Sequence, residues 1–315
     1  MKLVIQIPCL NEAATLPQTL ADLPREIPGI TSIEVLVIDD GSSDGTAEVA
    51  RTHGVTRVIR HKRNLGLASS FQTGLETALA MGADIIVNTD GDNQYRGEDV
   101  ARLVAPVLEG RADIAIGDRE VARHRHFSAG KTWLQGFGSA VVSSLAGTRV
   151  NDAVSGFRAL SRDAAIRTNI LSRFSYTTEM IIQAGNKQLS MVSVPVRTNA
   201  VTREPRLFKS TPGFVARQAV TMIRMYAMYR PMRFFFFIGT VLTLLGALPI
   251  LRFLYFFLVG EGNGHLQSLV LGGVLVLLGF MLFVTGLLSD LMSQNRKLLE
   301  SALERIRRME LKRGT

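Results

Sequence analysis

The chain has 315 residues, 47% hydrophobic and 20% charged, with 36 Lys and Arg against 27 Asp and Glu and a formal net charge of +9. That apolar content excludes a disordered or collagen-like chain, and the single cysteine, Cys9, excludes an intramolecular disulfide. The charge is segregated: the whole basic surplus lies in residues 200–315 and the first 199 residues are neutral, which counts against nucleic acid as a partner.

Taken in order, residues 3–8 (LVIQIP) read as a buried strand and residues 11–20 as a helix. A strand at 35–39 leads into Asp39-Asp40-Gly41-Ser42 and a helix from Thr46. Next come a strand at 55–59, a helix at 67–81, a strand at 84–88, a helix at 98–108 and a strand at 114–116. Short apolar runs alternating with helices of about a dozen residues indicate βαβ units, hence an α/β fold with a mostly parallel sheet. Met1 runs straight into the first strand, so no signal peptide is expected.

Beyond residue 210 the pattern changes. Residues 211–232 mix Phe, Met and Tyr with arginines, as an interfacial helix does. Residues 234–251 and 269–288 carry no charge, and at 1.5 Å per residue each covers roughly 27–30 Å, the thickness of a bilayer's hydrocarbon core. Two membrane-spanning helices are expected, at about 234–258 and 268–289, with Pro249 placed to kink the first and Arg252 to snorkel from it. The loop 260–268 has Glu261 and His265 but no Lys or Arg. Arg217, Arg224, Arg230 and Arg233 precede the hairpin, and Arg296, Lys297, Arg305, Arg307, Arg308, Lys312 and Arg313 follow it. The positive-inside rule then places the N-terminal part and both termini in the cytoplasm. The expected organisation is a catalytic domain over 1–210, an interfacial helix over 211–232, a transmembrane hairpin over 233–290 and a basic amphipathic helix over 291–315.

In a parallel sheet ligands bind beyond the carboxyl ends of the strands. Glu12, Asp39, Asp40, Asp90 and Asp92 all fall at such ends, where unpartnered carboxylates repel one another and call for a cation or a hydroxyl-rich ligand. Asp90 and Asp92, followed by Asn93 and Gln94, offer hard oxygen ligands suited to Mg²⁺ or Mn²⁺ shared with a substrate's phosphates. Asp39 and Asp40 are better placed to accept hydrogen bonds from a base or ribose. No dinucleotide or P-loop fingerprint is present. His53, His61, His124, His126 and His265 lie in no nucleophile motif and are expected at the surface.

Pro8-Cys9-Leu10-Asn11-Glu12, Asp39 to Thr46 (DDGSSDGT), Asn64-Leu65-Gly66, Asp90 to Gln94 (DGDNQ) and Ser155-Gly156-Phe157-Arg158, in this order, resemble the family 2 glycosyltransferases with the GT-A fold. With two C-terminal spans the chain is similar to the polyprenyl-phosphate glycosyltransferases, the group that contains dolichyl-phosphate mannose synthase. The resemblance implies transfer of one sugar from a UDP- or GDP-linked nucleotide sugar to undecaprenyl or dolichyl phosphate. It implies that Pro8, Asn11, Glu12 and Asp40 frame the nucleoside, and that Asp90, Asp92 and Gln94 hold the metal on the diphosphate. Arg119, Ser155 and Arg158 would contact phosphates, and a basic patch containing Arg203, Arg206 and Lys209 would meet the lipid phosphate. That acceptor is already anionic, its second pKa being about 6, so no strong general base is needed and in-line attack would invert the anomeric centre. A processive polysaccharide synthase shares the fold but expects more spans and a Q-x-x-R-W element, whereas the only tryptophan here is Trp133. A non-catalytic nucleotide-sugar-binding scaffold is opposed by the intact acidic and SGFR motifs. Whether the chain forms a homo-oligomer is left open.

Overall fold

The structure, a computed structural model, describes residues 1–119, 142–144, 146–148, 150–170, 176–199, 226–260 and 264–313, with 220, 223 and 224. It divides into two units: Met1–Leu207 with Glu304–Thr315, and Phe208–Leu303.

The first unit is built on seven strands: β1 (Lys2–Cys9), β2 (Ser32–Asp39), β3 (Arg57–Arg60), β4 (Ile85–Asn88), β5 (Ile114–Asp118), β6 (Arg158–Ser161) and β7 (Met191–Pro195). They form one sheet in the order β3-β2-β1-β4-β6-β5-β7. The pairs β1–β2, β1–β4, β2–β3 and β5–β7 are parallel, and β6 runs antiparallel to both β4 and β5. Its helices are α1 (Leu16–Asp22), α2 (Thr46–Thr52), α3 (Leu67–Ala80), α4 (Asp99–Leu108), α5 (Arg162–Arg167) and α6 (Tyr176–Asn186).

The central strand β1 is buried from Leu3 to Cys9, as a strand covered on both faces must be. Leu3, Ile5 and Ile7 share a core with Leu103, Val104, Tyr95 and Phe157. The apolar positions of α3, Ala68, Phe71, Leu75, Ala78 and Leu79, recur at helical spacing and are all buried. The expected strands and helices through residue 118 are present within a few residues. The exception is the helix expected from Asn11, which starts at Leu16 because Asn11 sits in the left-handed region at φ 56°.

The end of the chain also differs from expectation. One helix, α8 (Leu266–Arg313), runs without a break through the boundary expected near residue 290. Its last residues belong to the first unit. The Arg307 guanidinium donates to the carbonyl of Thr168 at 2.8 Å and pairs with Glu76 at 3.1 Å, Glu304 takes Lys187 at 2.6 Å, and Arg308 pairs with Asp163. Arg307 and Arg308, expected on a basic amphipathic helix, are thus engaged by the first unit itself.

In the second unit, α7 (Pro231–Leu258) and the first part of α8 form an antiparallel pair, both long and apolar enough to cross a membrane. Gly239 and Gly246 face Gly279 and Gly272 so closely that a Cβ on Gly246 would lie 2.8 Å from the Gly272 carbonyl, and small residues let the two backbones touch. Outward-facing Phe237, Leu244 and Leu288 are 71%, 63% and 58% exposed, the reverse of a soluble core helix. Pro249 lies inside α7 without ending it, and the Arg252 guanidinium lies 5.9 Å from the Phe256 ring centroid.

Candidate active site at the strand ends

Two loops meet where β1 and β2 end. The Asn11 amide donates to Ser42 Oγ at 2.9 Å, and Asn11 Oδ1 accepts from the Ser43 amide at 2.9 Å. Asparagine tolerates the left-handed conformation that this crossing needs. Glu12, buried, donates its amide to Thr46 Oγ1 at 2.9 Å and accepts from Thr15 Oγ1 at 2.7 Å. Pro8 is buried inside β1 opposite Ile38. Asp39 accepts from the Ser42 amide at 2.9 Å and pairs with Arg60 Nε at 3.1 Å.

Asp40 is the hub of a third loop. Its Oδ1 accepts from the Leu65 amide at 2.9 Å and pairs with His61 Nδ1 at 2.7 Å, while Oδ2 accepts from the Gly66 amide at 2.8 Å. His61, expected at the surface, is instead a partly buried partner of Asp40, its side chain 9% exposed. A lone histidine in sequence carries no trace of a carboxylate twenty-one positions away.

The acidic turn follows β4. Thr15 and Thr19 both donate to the Gly91 carbonyl, at 2.9 and 3.1 Å, fastening the start of α1 to this turn. A side chain on Gly91 would lie 2.8 Å from Cys9 Sγ, so only glycine fits between the two aspartates. Asp92 Oδ1 accepts from the Gln94 amide at 3.1 Å. Asn199, beyond β7, donates its amide to the Gln94 carbonyl and its Nδ2 to the Asn93 carbonyl, each at 2.9 Å. Arg203, Arg206 and Lys209, expected near the acceptor, lie outside the described residues.

Charge makes this turn unusual. Burial, and then the Asp92 charge, push the Asp90 carboxyl up to about 7, with Arg119 opposing and Glu12 adding to the shift. Asp92, Arg119 and Glu12 therefore all act electrostatically on Asp90. Arg119 is held by Asp152, Nε to Oδ2 at 2.7 Å and Nη2 to Oδ1 at 3.0 Å, a bidentate pair that fixes its plane. Among the described residues no three His, Cys, Asp or Glu side chains converge as a ready-made metal cage.

The SGFR element has another place than expected. Arg158 is fully buried, and its Nε, Nη1 and Nη2 donate to the carbonyls of Ser155, Thr177 and Ala153 at 2.9, 2.7 and 3.0 Å. Burial lowers its guanidinium to about 10, still charged at neutral pH. Ser155 is likewise buried, its hydroxyl 3.5 Å from the Tyr95 hydroxyl. Both side chains are thus occupied in the floor beneath Asp90. Gly156 brings that floor up to the carboxylate, since a Cβ there would lie 3.0 Å from both Asp90 oxygens. Sequence reasoning missed Tyr95, Asp152 and Tyr176. The Tyr95 hydroxyl accepts from the Gly156 amide at 3.2 Å, and the Tyr176 hydroxyl accepts from Asn88 Nδ2 at 3.0 Å. No residue pattern near them signals these contacts.

Comparison with known proteins fits this geometry. The family described as Glycosyl transferase family 2 matches residues 4–168. An uncharacterised protein of Methanocaldococcus jannaschii is 35% identical over 203 residues, 62% of this chain and 81% of that one. The undecaprenyl-phosphate mannosyltransferase of Micrococcus luteus is 27% identical over 234 residues, 71% of this chain and 93% of its own. Among solved structures, glucosyl-3-phosphoglycerate synthase of Mycobacterium tuberculosis, in complex with Mn²⁺, UDP and glucosyl-3-phosphoglycerate, aligns with a TM-score of 0.53 at 18% identity. The alignment covers 72% of this chain and 78% of that one, and shows a shared GT-A-like fold.

Proposed function

The chain belongs to glycosyl transferase family 2, and from that premise we propose that it moves a single sugar from a UDP- or GDP-linked donor to a polyprenyl phosphate, with inversion. The observation that carries the acceptor is the pair of exposed apolar helices on a family 2 transferase, which suits an acceptor held in a bilayer. The mannosyltransferase relative, named for undecaprenyl phosphate, supports the same reading. The basic flanks of the hairpin support a cytoplasmic catalytic unit.

A divalent cation, Mg²⁺ or Mn²⁺, fits the residues present. Asp90 and Asp92 are hard oxygen donors in one turn, and the upward push on Asp90, from burial first and then from the Asp92 charge, is one that a cation would relieve. Asp90, Asp92 and Gln94 would hold it with the donor's phosphates. When bound it neutralises charge developing on the leaving diphosphate. Arg119, oriented by Asp152, offers its remaining N–H groups to the same charge. Asn11, Glu12 and Asp40 shape the nucleoside end. The acceptor phosphate oxygen forms the new bond to the anomeric carbon as the bond to the nucleoside diphosphate breaks, with no proton to remove at neutral pH.

A proton and a cation compete for Asp90. Below about pH 7 its carboxyl is protonated, so Mn²⁺ affinity should fall about tenfold from pH 8 to pH 6. Calorimetric titration of the detergent-solubilised protein with Mn²⁺ in the presence of UDP checks this, and equal affinity at both pH values counts against Asp90 as a ligand.

The activity itself is tested with membranes containing the protein, radiolabelled UDP- and GDP-hexoses, and undecaprenyl or dolichyl phosphate. Label in an acid-labile lipid monosaccharide is expected. Label in a polymer would favour a processive synthase, and no transfer from any donor would overturn the proposal.

A further inference from the structure

We propose that His61 is a positioning residue for donor binding, acting through Asp40. The inference rests on the reading above, in which the ends of β1 and β2 hold the donor's nucleoside.

His61 follows β3 and bridges two elements. Nδ1 donates to Asp40 Oδ1 at 2.7 Å, and Nε2 lies 3.1 Å from Thr73 Oγ1 on α3. A carboxylate has about four acceptor positions. Three on Asp40 are taken by His61, Leu65 and Gly66, which leaves one on Oδ2. The same loop presses on the turn after β2. Gly41 has φ 76°, and a Cβ there would lie 2.7 Å from the Arg63 carbonyl carbon. Gly66, at φ 94°, then opens α3. Asp40 is therefore not a free ligand-binding carboxylate: its rotamer and its remaining acceptor position are set by the ring of His61 from one side and two amides from the other. Without the Nδ1 bond the carboxylate is held by the two loop amides alone, which move with their loop, and the donor must then complete its ordering on binding.

The two ring nitrogens separate this role from simple packing. An asparagine amide nitrogen can occupy the position of Nδ1, and a glutamine amide nitrogen that of Nε2. His61→Asn should keep the Asp40 bond and bind UDP or GDP within about threefold of the unaltered protein. His61→Gln should keep only the Thr73 contact, raising the calorimetric Kd for the same nucleotide and the donor KM about tenfold with kcat within about twofold. Thr73→Val, which leaves the Asp40 bond in place, should bind the nucleotide normally and covers the case in which His61→Gln does not fold. Equal losses in the Asn and Gln variants, or a tenfold loss in Thr73→Val, overturn the proposal while nucleotide binding by the unaltered protein preserves the reading it rests on. An unaltered protein that binds neither UDP nor GDP overturns both.

Discussion

Replacing Asp92 by alanine is expected to lower kcat for sugar transfer by about 1000-fold while the protein stays folded, since one electrostatic group aimed at a transition-state charge carries effects of that size. Asp92 lies in the turn after β4, where its Oδ1 accepts one backbone hydrogen bond, from Gln94. Its removal therefore leaves the sheet intact. Asp90→Asn separates chemistry from folding still more cleanly. In the folded protein the Asp90 carboxyl titrates at about 7, against about 4 for an ordinary aspartate. The folded state thus holds an extra proton between pH 4 and pH 7. Stability conferred in acid is lost as pH rises through that window and is flat above it. At pH 8 without added metal, Asp90→Asn should melt a few degrees above the unaltered protein and yet be inactive. Transfer assays and melting curves on the same preparations check both statements. Retained activity in Asp92→Ala, or a lower Tm in Asp90→Asn, would contradict the assignment of this turn.

Arg158→Met is expected to fail in the opposite way. Methionine fills much of the volume but removes the three hydrogen bonds that the guanidinium donates to the carbonyls of Ser155, Thr177 and Ala153. At about 1.5–3 kcal/mol for each lost hydrogen bond to a charged donor, the loss exceeds about 3 kcal/mol. For a domain of this size that corresponds to a Tm lower by about 10 °C. Lysine cannot substitute, because one ammonium does not span three carbonyls arranged around a planar fork. A phosphate-binding arginine behaves differently: its loss raises the donor or acceptor KM and leaves the melting curve alone. Differential scanning fluorimetry in detergent, with KM measured at a temperature where the variant is folded, distinguishes the two, and an unchanged Tm with a raised KM would return Arg158 to the ligand.

The strands β1, β2, β4 and β5 were legible because each is a short apolar run between turn residues, and α3 because its buried positions recur at helical spacing. Strands β6 and β7 were not. β6 is four residues long with Arg158 at one end, and β7 reads MVSVP without a continuous apolar run. The chain around Asn11 looked helical by composition, yet Ser42 and Ser43 hold it in a left-handed crossing. The final turns of α8 read as a basic amphipathic helix, and only packing showed Arg307 held at the carbonyl of Thr168.

The sequence alone determined what depends on order and spacing along the chain: the alternation of strands and helices, the acidic groups at three strand ends, the two uncharged spans and the confinement of basic surplus to the last third. Those signals are local, since periodicity and strand-end position are counted in a few residues. Only the tertiary structure decided which polar side chains are buried and with which partners they pair. Arg158 and Ser155 stand in the same motif as Gly156, but the antiparallel turn into β6 buries them under Asp90, while Arg119 and Asp152 meet across thirty-three residues beside it. Asp40 and His61 are likewise joined across twenty-one. A side chain's charge is written in its residue type, but its burial and its hydrogen-bond partners depend on segments distant in sequence, and those settle whether it braces the site or acts in it.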